Sequence, residues 1–495
     1  MKLMKFRVKD MDITTGDVLV AILNQHDANN LDLKANDRII VKYKNKEITC
    51  MLDISENGHV VPNGKLGLFE EVLDRLNVKN NALVEIKFTG KPESVKHIRD
   101  KLYGKRLSYK ELYHIIDDIT NDRLTSIEKT YFVSAGFING WNIEETVDMT
   151  RAMVETGAKI KFKGITMDKH CVGGVPGNRT TMIVIPIIAA AGFTIPKTSS
   201  RAITSPAGTA DTMECLAKVE MTEKKIKNVV RKTNACIVHG GSMNLAPADD
   251  KIIEVEYPLS IDAEGQLLAS VMAKKYSVSA NHVLIDIPMG KSTKSNTWPK
   301  AKHLKKMFEL LGKRLGMNVK VIITDGSHPI GNGIGPLLEA EDVMAVLRND
   351  PLAPQDLRKK ALSMSATLLG MSNGYTKRKA TKLVKEILES GQALKKMNDI
   401  IKAQGKQKKP QLGSHRYTVK CGKIGRVKEI DNKIIAKIAR MAGAPQDKGS
   451  GLYLAKKVHD SVKKGDVLYT VYSESKFKLN LSVEFLKKNK GYVIK

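Results

Sequence analysis

The first 88 or so residues alternate short apolar runs with turn residues. Such runs, bounded by glycine, asparagine and aspartate, are typical of short β-strands. One helix is expected between the later strands, at residues 68–76. The pattern predicts a small β-barrel as an N-terminal domain over residues 1–90. The strand-forming runs lie at residues 6–8, 18–23, 38–43, 47–52 and 84–88.

The pattern then changes to a helical period. Ser108 is followed three residues later by Glu111, which is the spacing of a capping box that begins a helix. Asn142 and Glu145 repeat this spacing. Apolar residues recur every three or four positions after each cap. These features predict a helical domain over residues 91–163, which a stretch at about 249–279 completes.

From residue 164 onwards, apolar strands alternate with helices. Residues 182–191 form an almost wholly apolar helix, and runs such as 283–287 and 319–324 are typical of buried parallel strands. Strand character returns after about residue 410. We therefore expect an α/β domain over residues 164–405 and a C-terminal α+β domain over 406–495. With 495 residues, a multidomain α/β protein is expected.

Net charge is the feature of the composition that departs most from an ordinary globular protein. Lysine and arginine number 82 and aspartate and glutamate 53, a net charge of +29. Nucleic-acid binding would explain that excess. However, the lysines are spread along the whole chain, and few aromatic residues lie among them to stack on bases. We favour a solvated lysine-rich surface that also attracts anionic nucleotides.

Other bulk properties narrow the class of protein. No apolar run is long enough to span a bilayer, and the first residues lack a signal-peptide core, so a cytoplasmic protein is expected. The five cysteines form no CxxC pair, and neither a zinc site nor a disulfide framework is indicated. No metal site is predicted.

Two loops rich in glycine and hydroxyl groups carry the densest candidate chemistry. The first covers residues 169–178 after a strand-like stretch at 164–167, and the second covers 198–209 and leads into a helix. Glycines let the backbone approach a ligand, and helix N-termini attract anions. The pair indicates a ligand with more than one phosphate-like group. Packing alone would explain a single Gly-Gly pair, and neither loop matches the standard dinucleotide or P-loop motif.

The sequence of these loops resembles that of the thymidine and pyrimidine-nucleoside phosphorylases. Their signature begins Asp-Lys-His-Ser-x-Gly-Gly, and residues 168–174 read DKHCVGG. Residues 199–214, SSRAITSPAGTADTME, are most similar to the archaeal AMP phosphorylases of that superfamily. The resemblance runs from about residue 103 to the C-terminus and extends to the N-terminal region. It implies a double-psi N-terminal barrel, a homodimer or larger homo-oligomer, and no cofactor.

The resemblance also implies roles for individual residues. Phosphate would be bound by Lys169, Ser199 and Thr209. Cys171 replaces the usual serine and is a weaker donor; His170 is either a base or a structural residue. The nucleotide would be bound by Gly174, Ser200, Arg201, Ala202, Ile203, Thr204, Ser205, Thr209, Ser270, Lys274 and Lys294.

Two of the candidate residues, Lys294 and Asp262, have an alternative role, whereas Ser270 and Lys274 have none. Ser270 and Lys274 lie on one helical face and match the residues that contact the base. Lys294 would close over the 5′-phosphate, or is one more surface lysine. Asp262 would be the general acid that protonates the leaving base, or the N-cap of the following helix. The arginine that binds the pyrimidine carbonyl in the family aligns near Val255, which argues against uracil or thymine.

The sequence therefore predicts a pentosyltransferase. AMP, and less readily CMP and UMP, would react with phosphate to give the free base and ribose 1,5-bisphosphate. A pyrimidine-nucleoside phosphorylase and a basic nucleic-acid-binding protein on an inherited fold are the alternatives. A phosphoribosyltransferase is a third, although the phosphate loops have no acidic cluster to hold Mg²⁺.

Overall fold

The computed structural model divides into two compact units. One comprises residues 1–140 and 251–263, and the other residues 141–250 and 264–495. The structure describes residues 4–16, 18–202, 205–256, 258, 261 and 263–495.

The first unit begins with a closed six-stranded barrel in the order β1-β5-β2-β4-β3-β6. Its pairs β1–β5 and β2–β4 are parallel. Side chains alternate along the strands, so Val8, Val41 and Ile86 fill the interior. The predicted small barrel is confirmed. Its elements are β1 Met4–Asp10, β2 Val20–Asn24, α1 Gln25–Asn30, β3 Arg38–Tyr43, β4 Lys46–Ser55, β5 Lys65–Leu68, α2 Glu70–Leu76 and β6 Leu83–Phe88.

Three helices follow in the same unit. The predicted capping box begins the second of them: the Ser108 side chain accepts from the backbone of Glu111, whose carboxylate accepts from the backbone of Ser108. A second box, between Thr125 and Glu128, begins the third. The helices are α3 Ser94–Leu102, α4 Tyr109–Thr120 and α5 Ser126–Asn139.

The second unit opens with the helix that the Asn142–Glu145 box predicted, and continues with alternating strands and helices. The elements between residues 141 and 404 are α6 Ile143–Glu155, β7 Met167–Cys171, α7 Thr180–Ala190, β8 Ile195–Ser199, α8 Thr209–Glu214, α9 Glu223–Thr233, β9 Ala235–His239, the 3₁₀ helix Gly241–Met243, α10 Pro247–Glu256, α11 Glu264–Tyr276, β10 His282–Met289, α12 Trp298–Arg314, β11 Asn318–Asp325, β12 Gly333–Ile334, α13 Pro336–Leu347, α14 Gln355–Leu369, α15 Lys377–Glu389 and α16 Gln392–Gln404.

Parallel strands form the centre of this unit. Strands β11, β10 and β7 make one sheet and β8 and β9 another, and a bridge between Thr166 and Thr194 joins the two sets. Helix α7 is buried on all sides against them, as its apolar sequence predicts. Because β7 and β8 run parallel, their carboxyl ends, at Cys171 and Ser199, lie at the same edge.

The sequence-based loop boundaries are wrong at this edge. Lys169, His170 and Cys171 belong to strand β7, and Ser199 ends β8, although all were assigned to loops. The residues 168–171, DKHC, are polar or charged, so the hydrophobic pattern did not predict a buried strand there. Pairing with β10 satisfies its backbone, and buried partners on other elements satisfy the charge of Asp168.

The C-terminal part forms two small sheets, β12-β15-β17-β13 and β16-β14-β18. Strand β12 precedes this part in sequence but pairs with β15, Gly333 opposite Tyr453. One continuous sheet therefore fixes the C-terminal part to the loops of the α/β part. Its elements are β13 His415–Lys420, β14 Gly425–Ile430, α17 Asn432–Met441, β15 Gly451–Leu454, β16 Ser461–Val462, β17 Val467–Ser473, α18 Lys476–Lys488 and β18 Tyr492–Ile494.

The predicted fold class, a multidomain α/β protein with a small N-terminal barrel, a helical region and a C-terminal α+β part, is confirmed. Among the helices of the described residues, none combines the length and the apolar character that crossing a bilayer requires.

A glutamine side chain satisfies the outer edge of β9 at Ile237, and the Val219 carbonyl accepts from the His239 amide farther along the same edge. The buried Gln404, at the end of α16, accepts from the Ile237 amide at 2.7 Å and donates to the Ile237 carbonyl at 2.9 Å. It also donates to the Lys218 carbonyl at 2.8 Å. The side chain thus replaces a neighbouring strand.

We expect Gln404→Leu to lower the free energy of unfolding by about 3 kcal/mol, because it removes the partners of the Ile237 amide, the Ile237 carbonyl and the Lys218 carbonyl. Urea denaturation followed by circular dichroism measures the change. Gln392→Leu, at the exposed start of the same helix, is the matched control and should stay within about 0.5 kcal/mol of the parent. Equal losses in the two variants would contradict the role of Gln404.

Candidate functional site

Lys169 is a fully buried lysine in the middle of β7. Its Nζ donates to the hydroxyls of Thr180 at 2.8 Å and Thr181 at 3.2 Å, in the first turn of α7. Among the described residues, no carboxylate oxygen lies within ion-pair distance of this nitrogen. Burial lowers the pKa of Lys169, opposed in part by the charge of Asp286. A buried ammonium held by hydroxyls alone is well suited to bind an anion.

The neighbouring Asp168 has the opposite environment. Its two carboxylate oxygens pair with Lys197 of β8 at 3.0 Å and Lys275 of α11 at 2.9 Å. Burial opposes the charge of Asp168, but the two lysines outweigh it and hold the pKa of this carboxyl below its usual value. Lys197 also donates to the Lys169 carbonyl at 2.9 Å. Three elements are thus tied together directly beside Lys169.

A second ion pair lies on β10. The buried Asp286 pairs with the largely buried Lys360 of α14 at 3.1 Å and accepts from the Thr324 hydroxyl of β11 at 2.6 Å. Around the two buried aspartates, Asp168 and Asp286, there are more lysines than carboxylates. The lysines are Lys169, Lys197, Lys275 and Lys360. The excess of positive charge favours an anionic ligand.

The first loop follows β7 directly. The Asn178 amide donates to the Cys171 sulfur at 3.3 Å, and burial raises the pKa of the Cys171 thiol. Burial, followed by Lys275 and Lys197, holds the pKa of His170 well below its usual value, so its imidazole is neutral. In both residues burial favours the uncharged form, the thiol of Cys171 and the neutral imidazole of His170.

Arg179 connects the first loop to the second. Its guanidinium donates to the Thr209 hydroxyl at 3.0 Å and the Ala207 carbonyl at 2.9 Å, and it pairs with the buried Glu339. Asp211 then accepts from the backbone of Ala202 at 2.7 Å. Arg179 was not identified from the sequence, although it follows the Gly-Asn of the first loop.

Arg201 is held by carboxylates of its own chain. Its guanidinium makes two bonds to Glu214, at 2.7 and 2.8 Å, and one to Glu220 at 2.9 Å. The bonds from Arg201 lower the pKa of Glu214 to about 2. Arg201 also contacts Asp211 at 3.4 Å, so it orders the second loop, and a phosphate would have to compete with three carboxylates for it.

Lys274 is engaged in a similar way. It pairs with Asp249 at 2.7 Å and Asp250 at 3.1 Å, and these carboxylates outweigh burial and raise its pKa. Ser270 lies on the same helix, half-buried. Three other residues predicted for the site, Ile203, Thr204 and Asp262, lie outside the described residues.

A cavity of about 830 Å³ lies beside the loops. Of the predicted residues, Gly174, Ser205 and Lys294 line it together. The other described ones are not among its lining residues: Lys169, Ser199, Ser200, Arg201, Ala202, Thr209, Ser270 and Lys274. Helix α17 forms the wall that sequence reasoning missed. The signal was present as basic residues on one face of an amphipathic helix, in a part of the chain assigned no chemistry.

Side chains that could hold a metal meet elsewhere, in the first unit. Ligand atoms of His97, Asp100 and Glu111 lie within 4.8 Å of one another. Asp100 already pairs with Lys105 at 2.8 Å, and Glu111 caps α4 through Ser108. These partners account for the two carboxylates without an ion.

Family models match three successive parts of the chain. The helical bundle domain of a glycosyl transferase family matches residues 95–157, and the a/b domain of that family matches residues 163–394. The pyrimidine nucleoside phosphorylase C-terminal domain matches residues 426–493.

Relatives match the chain over nearly its whole length. A protein of Pyrococcus furiosus named AMP phosphorylase is 44% identical over 97% of this chain and 96% of its own length. An AMP phosphorylase 1 of Archaeoglobus fulgidus is 42% identical over 96% and 94%. A putative thymidine phosphorylase of Legionella pneumophila strain Paris is 40% identical over 99% and 95%.

Among solved structures, anthranilate phosphoribosyltransferase from Thermus thermophilus matches with a TM-score of 0.52 and 17% identity. The match covers 62% of this chain and 98% of that one. At this identity the likeness shows the fold alone.

The cavity wall depends on a glycine with no room for a side chain. Gly174 has φ +93°, and a Cβ there would lie 2.7 Å from the Thr293 Cα. Gly173 has a similar φ, +95°, but no atom within 4 Å of such a Cβ. The two positions thus share a positive φ and differ in steric contact.

We expect Gly174→Ala to displace the turn around Thr293, which the bond from the Gly290 amide to the Thr293 hydroxyl closes at 3.0 Å. Hydrogen exchange at the Gly290 amide should then be faster in Gly174→Ala than in Gly173→Ala. The control shares the cost of a positive φ, about 1–2 kcal/mol, without the clash. Identical exchange rates in both variants would show that the turn does not depend on this contact.

Proposed function

The chain belongs to the glycosyltransferase family that contains the thymidine, pyrimidine-nucleoside and AMP phosphorylases, and on that premise we propose that it is a nucleoside 5′-monophosphate phosphorylase. AMP is the preferred substrate, with CMP and UMP reacting less readily. The products are the free base and ribose 1,5-bisphosphate. The proposal is supported by relatives named AMP phosphorylase that match almost the entire chain.

One structural observation carries the proposal. The predicted nucleotide residues Gly174, Ser205 and Lys294 share a cavity whose size suits a nucleotide, and its described lining residues include no aspartate or glutamate. The separate, buried Lys169 of β7 lies among the hydroxyls of the first turn of α7. Two distinct cationic regions fit a reaction in which one substrate carries a phosphate and the other is phosphate.

The proposed reaction is a displacement at the anomeric carbon. An oxygen of inorganic phosphate forms a bond to C1′, with inversion, while the glycosidic C1′–N bond breaks and its electron pair passes to the base. Asp262 gives its proton to a ring nitrogen of the leaving base and becomes a carboxylate. Lys169, Ser199 and Thr209 hold and orient the attacking phosphate, and orientation of this kind supplies much of the rate enhancement.

We expect base to be released from AMP, CMP and UMP only when phosphate is present, and little from adenosine, uridine or thymidine. Chromatography of the free base measures this directly. Asp262→Asn should lower kcat by about 10²–10⁴-fold with AMP, because the amide cannot donate the acid proton. Asp53→Asn, at an exposed aspartate of the N-terminal barrel, is the matched carboxyl-to-amide control and should keep full activity.

Three outcomes would contradict the proposal. Turnover of thymidine or uridine without a 5′-phosphate would identify a nucleoside phosphorylase instead. Full activity of Asp262→Asn would remove the assigned acid. A chain that turns over none of these substrates but binds RNA in a strongly salt-dependent way would be a nucleic-acid-binding protein.

A second candidate is a thymidine phosphorylase, because relatives at 40% identity over 99% of the chain carry the name putative thymidine phosphorylase. By the family resemblance, the pyrimidine-binding arginine aligns near Val255, which is half-buried. An apolar side chain cannot donate a hydrogen bond to a pyrimidine carbonyl, so we place this candidate second. The same assay distinguishes the two.

Lys169 gives the phosphate step a characteristic pH dependence. Its ammonium binds phosphate, and burial lowers its pKa, so the proton is lost as pH rises through a value below the usual lysine pKa of about 10.4. We expect the KM for phosphate to rise on the alkaline side. In Lys169→Arg the cation stays charged, so that rise should move to higher pH, whatever the change in kcat.

Initial rates measured across neutral and alkaline pH test this expectation. Lys464→Arg, on an exposed turn of the C-terminal part, is the control and should leave the profile unchanged. An alkaline limb that is the same in the parent and in Lys169→Arg would assign the titration to another group.

The location and assembly of the enzyme stay predictions. We propose a cytoplasmic homodimer or larger homo-oligomer, as the resemblance to the archaeal enzymes implies. The proposed reaction needs no organic cofactor.

A further inference from the structure

Helix α17 presents basic residues to the cavity at helical spacing. Lys433, Lys437 and Arg440 lie four and three residues apart, so they share one face of the helix, and all three line the cavity. The opposite face carries Ile435 and Ile438 into the core of the C-terminal part. The fold therefore holds this basic face rigidly against the loops of the α/β part.

The charged residues that line the cavity, among those described, are all basic. Its basic lining residues are Arg179, Lys294 and the three of α17, and no acidic residue is among the described residues that line it. Arg179 is balanced by the buried Glu339. The helix is thus a major source of positive charge for whatever occupies the cavity.

A buried acceptor marks the same wall as a binding surface. Asn432, the first residue of α17, lines the cavity and is only 3% exposed. Its amide nitrogen donates to the Gly326 carbonyl at 2.9 Å, which fixes the orientation of the carboxamide. Its Oδ1 is buried with no hydrogen-bond partner among the described residues. A ligand hydroxyl, such as one on a ribose, would satisfy this oxygen.

We propose that α17 binds the 5′-phosphate of the nucleotide, with Lys433 and Lys437 as the main cations. This inference rests on the proposed function and extends it to the residues that select nucleotides over nucleosides. A nucleotide and an attacking phosphate need two anion sites. Lys169 is buried and does not line the cavity, so it fits the attacking phosphate, and α17 fits the 5′-phosphate.

Selectivity follows from the same arrangement. A nucleoside would place no negative charge beside the basic face, and its binding would gain nothing from these lysines. A 5′-monophosphate carries close to two negative charges at neutral pH and forms charge-assisted hydrogen bonds with them. Lys437 is also positioned by an aromatic ring, with its Nζ 4.6 Å from the centre of Phe485.

The test is the double variant Lys433→Ala/Lys437→Ala. We expect the KM for AMP to rise by roughly ten- to a hundredfold, as the loss of charge-assisted bonds implies, while the KM for inorganic phosphate changes less than about twofold. AMP binding without phosphate, measured by calorimetry, should weaken by the same factor. Lys433→Arg/Lys437→Arg should restore most of the affinity. Lys464→Ala removes a lysine from the same part of the chain outside the cavity and is the matched control.

The outcomes separate this inference from the proposed function. If the parent enzyme turns over nucleosides but no monophosphate, the proposed function fails, and the inference fails with it. If the parent turns over AMP and the double variant keeps the parent KM for AMP, only the role of α17 is overturned. If only the KM for inorganic phosphate rises, α17 binds the attacking phosphate instead, and its proposed role at the 5′-phosphate is also overturned. Both lysines are exposed, so the double variant should lose only the contact of Lys437 with Phe485 and should stay folded.

Discussion

The site depends on the two ion pairs of the buried Asp168 carboxylate. The carboxylate holds Lys197 of β8 and Lys275 of α11 against β7, so that three elements from distant parts of the sequence meet at one point. Removing one partner of a buried pair costs about 3–5 kcal/mol, because the remaining charge is left uncompensated. This carboxylate therefore fixes β7 against its neighbours, and with it the position of Lys169.

The neighbouring residue has the opposite role. Because successive side chains of a strand point to opposite faces, the same strand that ties Asp168 to two lysines directs Lys169 towards the hydroxyls of α7. Asp168 has its counter-charges within the protein, whereas the hydrogen-bond partners of the Lys169 ammonium among the described residues are neutral hydroxyls. A bound anion would supply a counter-charge for Lys169, which links the stability of this region to ligand binding.

The second anion region depends on the sheet that joins β12 to β15. That pairing brings a helix from the C-terminal part to the two glycine-rich loops, whose own geometry Arg179 and Asp211 maintain. A cavity with loops on one side and the basic face of α17 on the other results. Binding and orientation of a phosphorylated sugar would thus involve parts of the chain that are far apart in sequence.

The sequence by itself determined the order and type of the elements, the two capping boxes of α4 and α6, the buried helix α7 and the two glycine-rich loops. These features depend on local periodicity and on residues close together in the chain. The full extent of β7 could not be predicted in this way, since charged residues are unusual in a buried strand. The partners that make the charge of Asp168 tolerable are brought there only by folding: Lys197 lies 29 positions away, and Lys275 lies farther still. In the same way, the sequence shows the basic face of α17, but only the tertiary structure places it in the cavity, because the β12–β15 pairing that does so is a contact between distant strands.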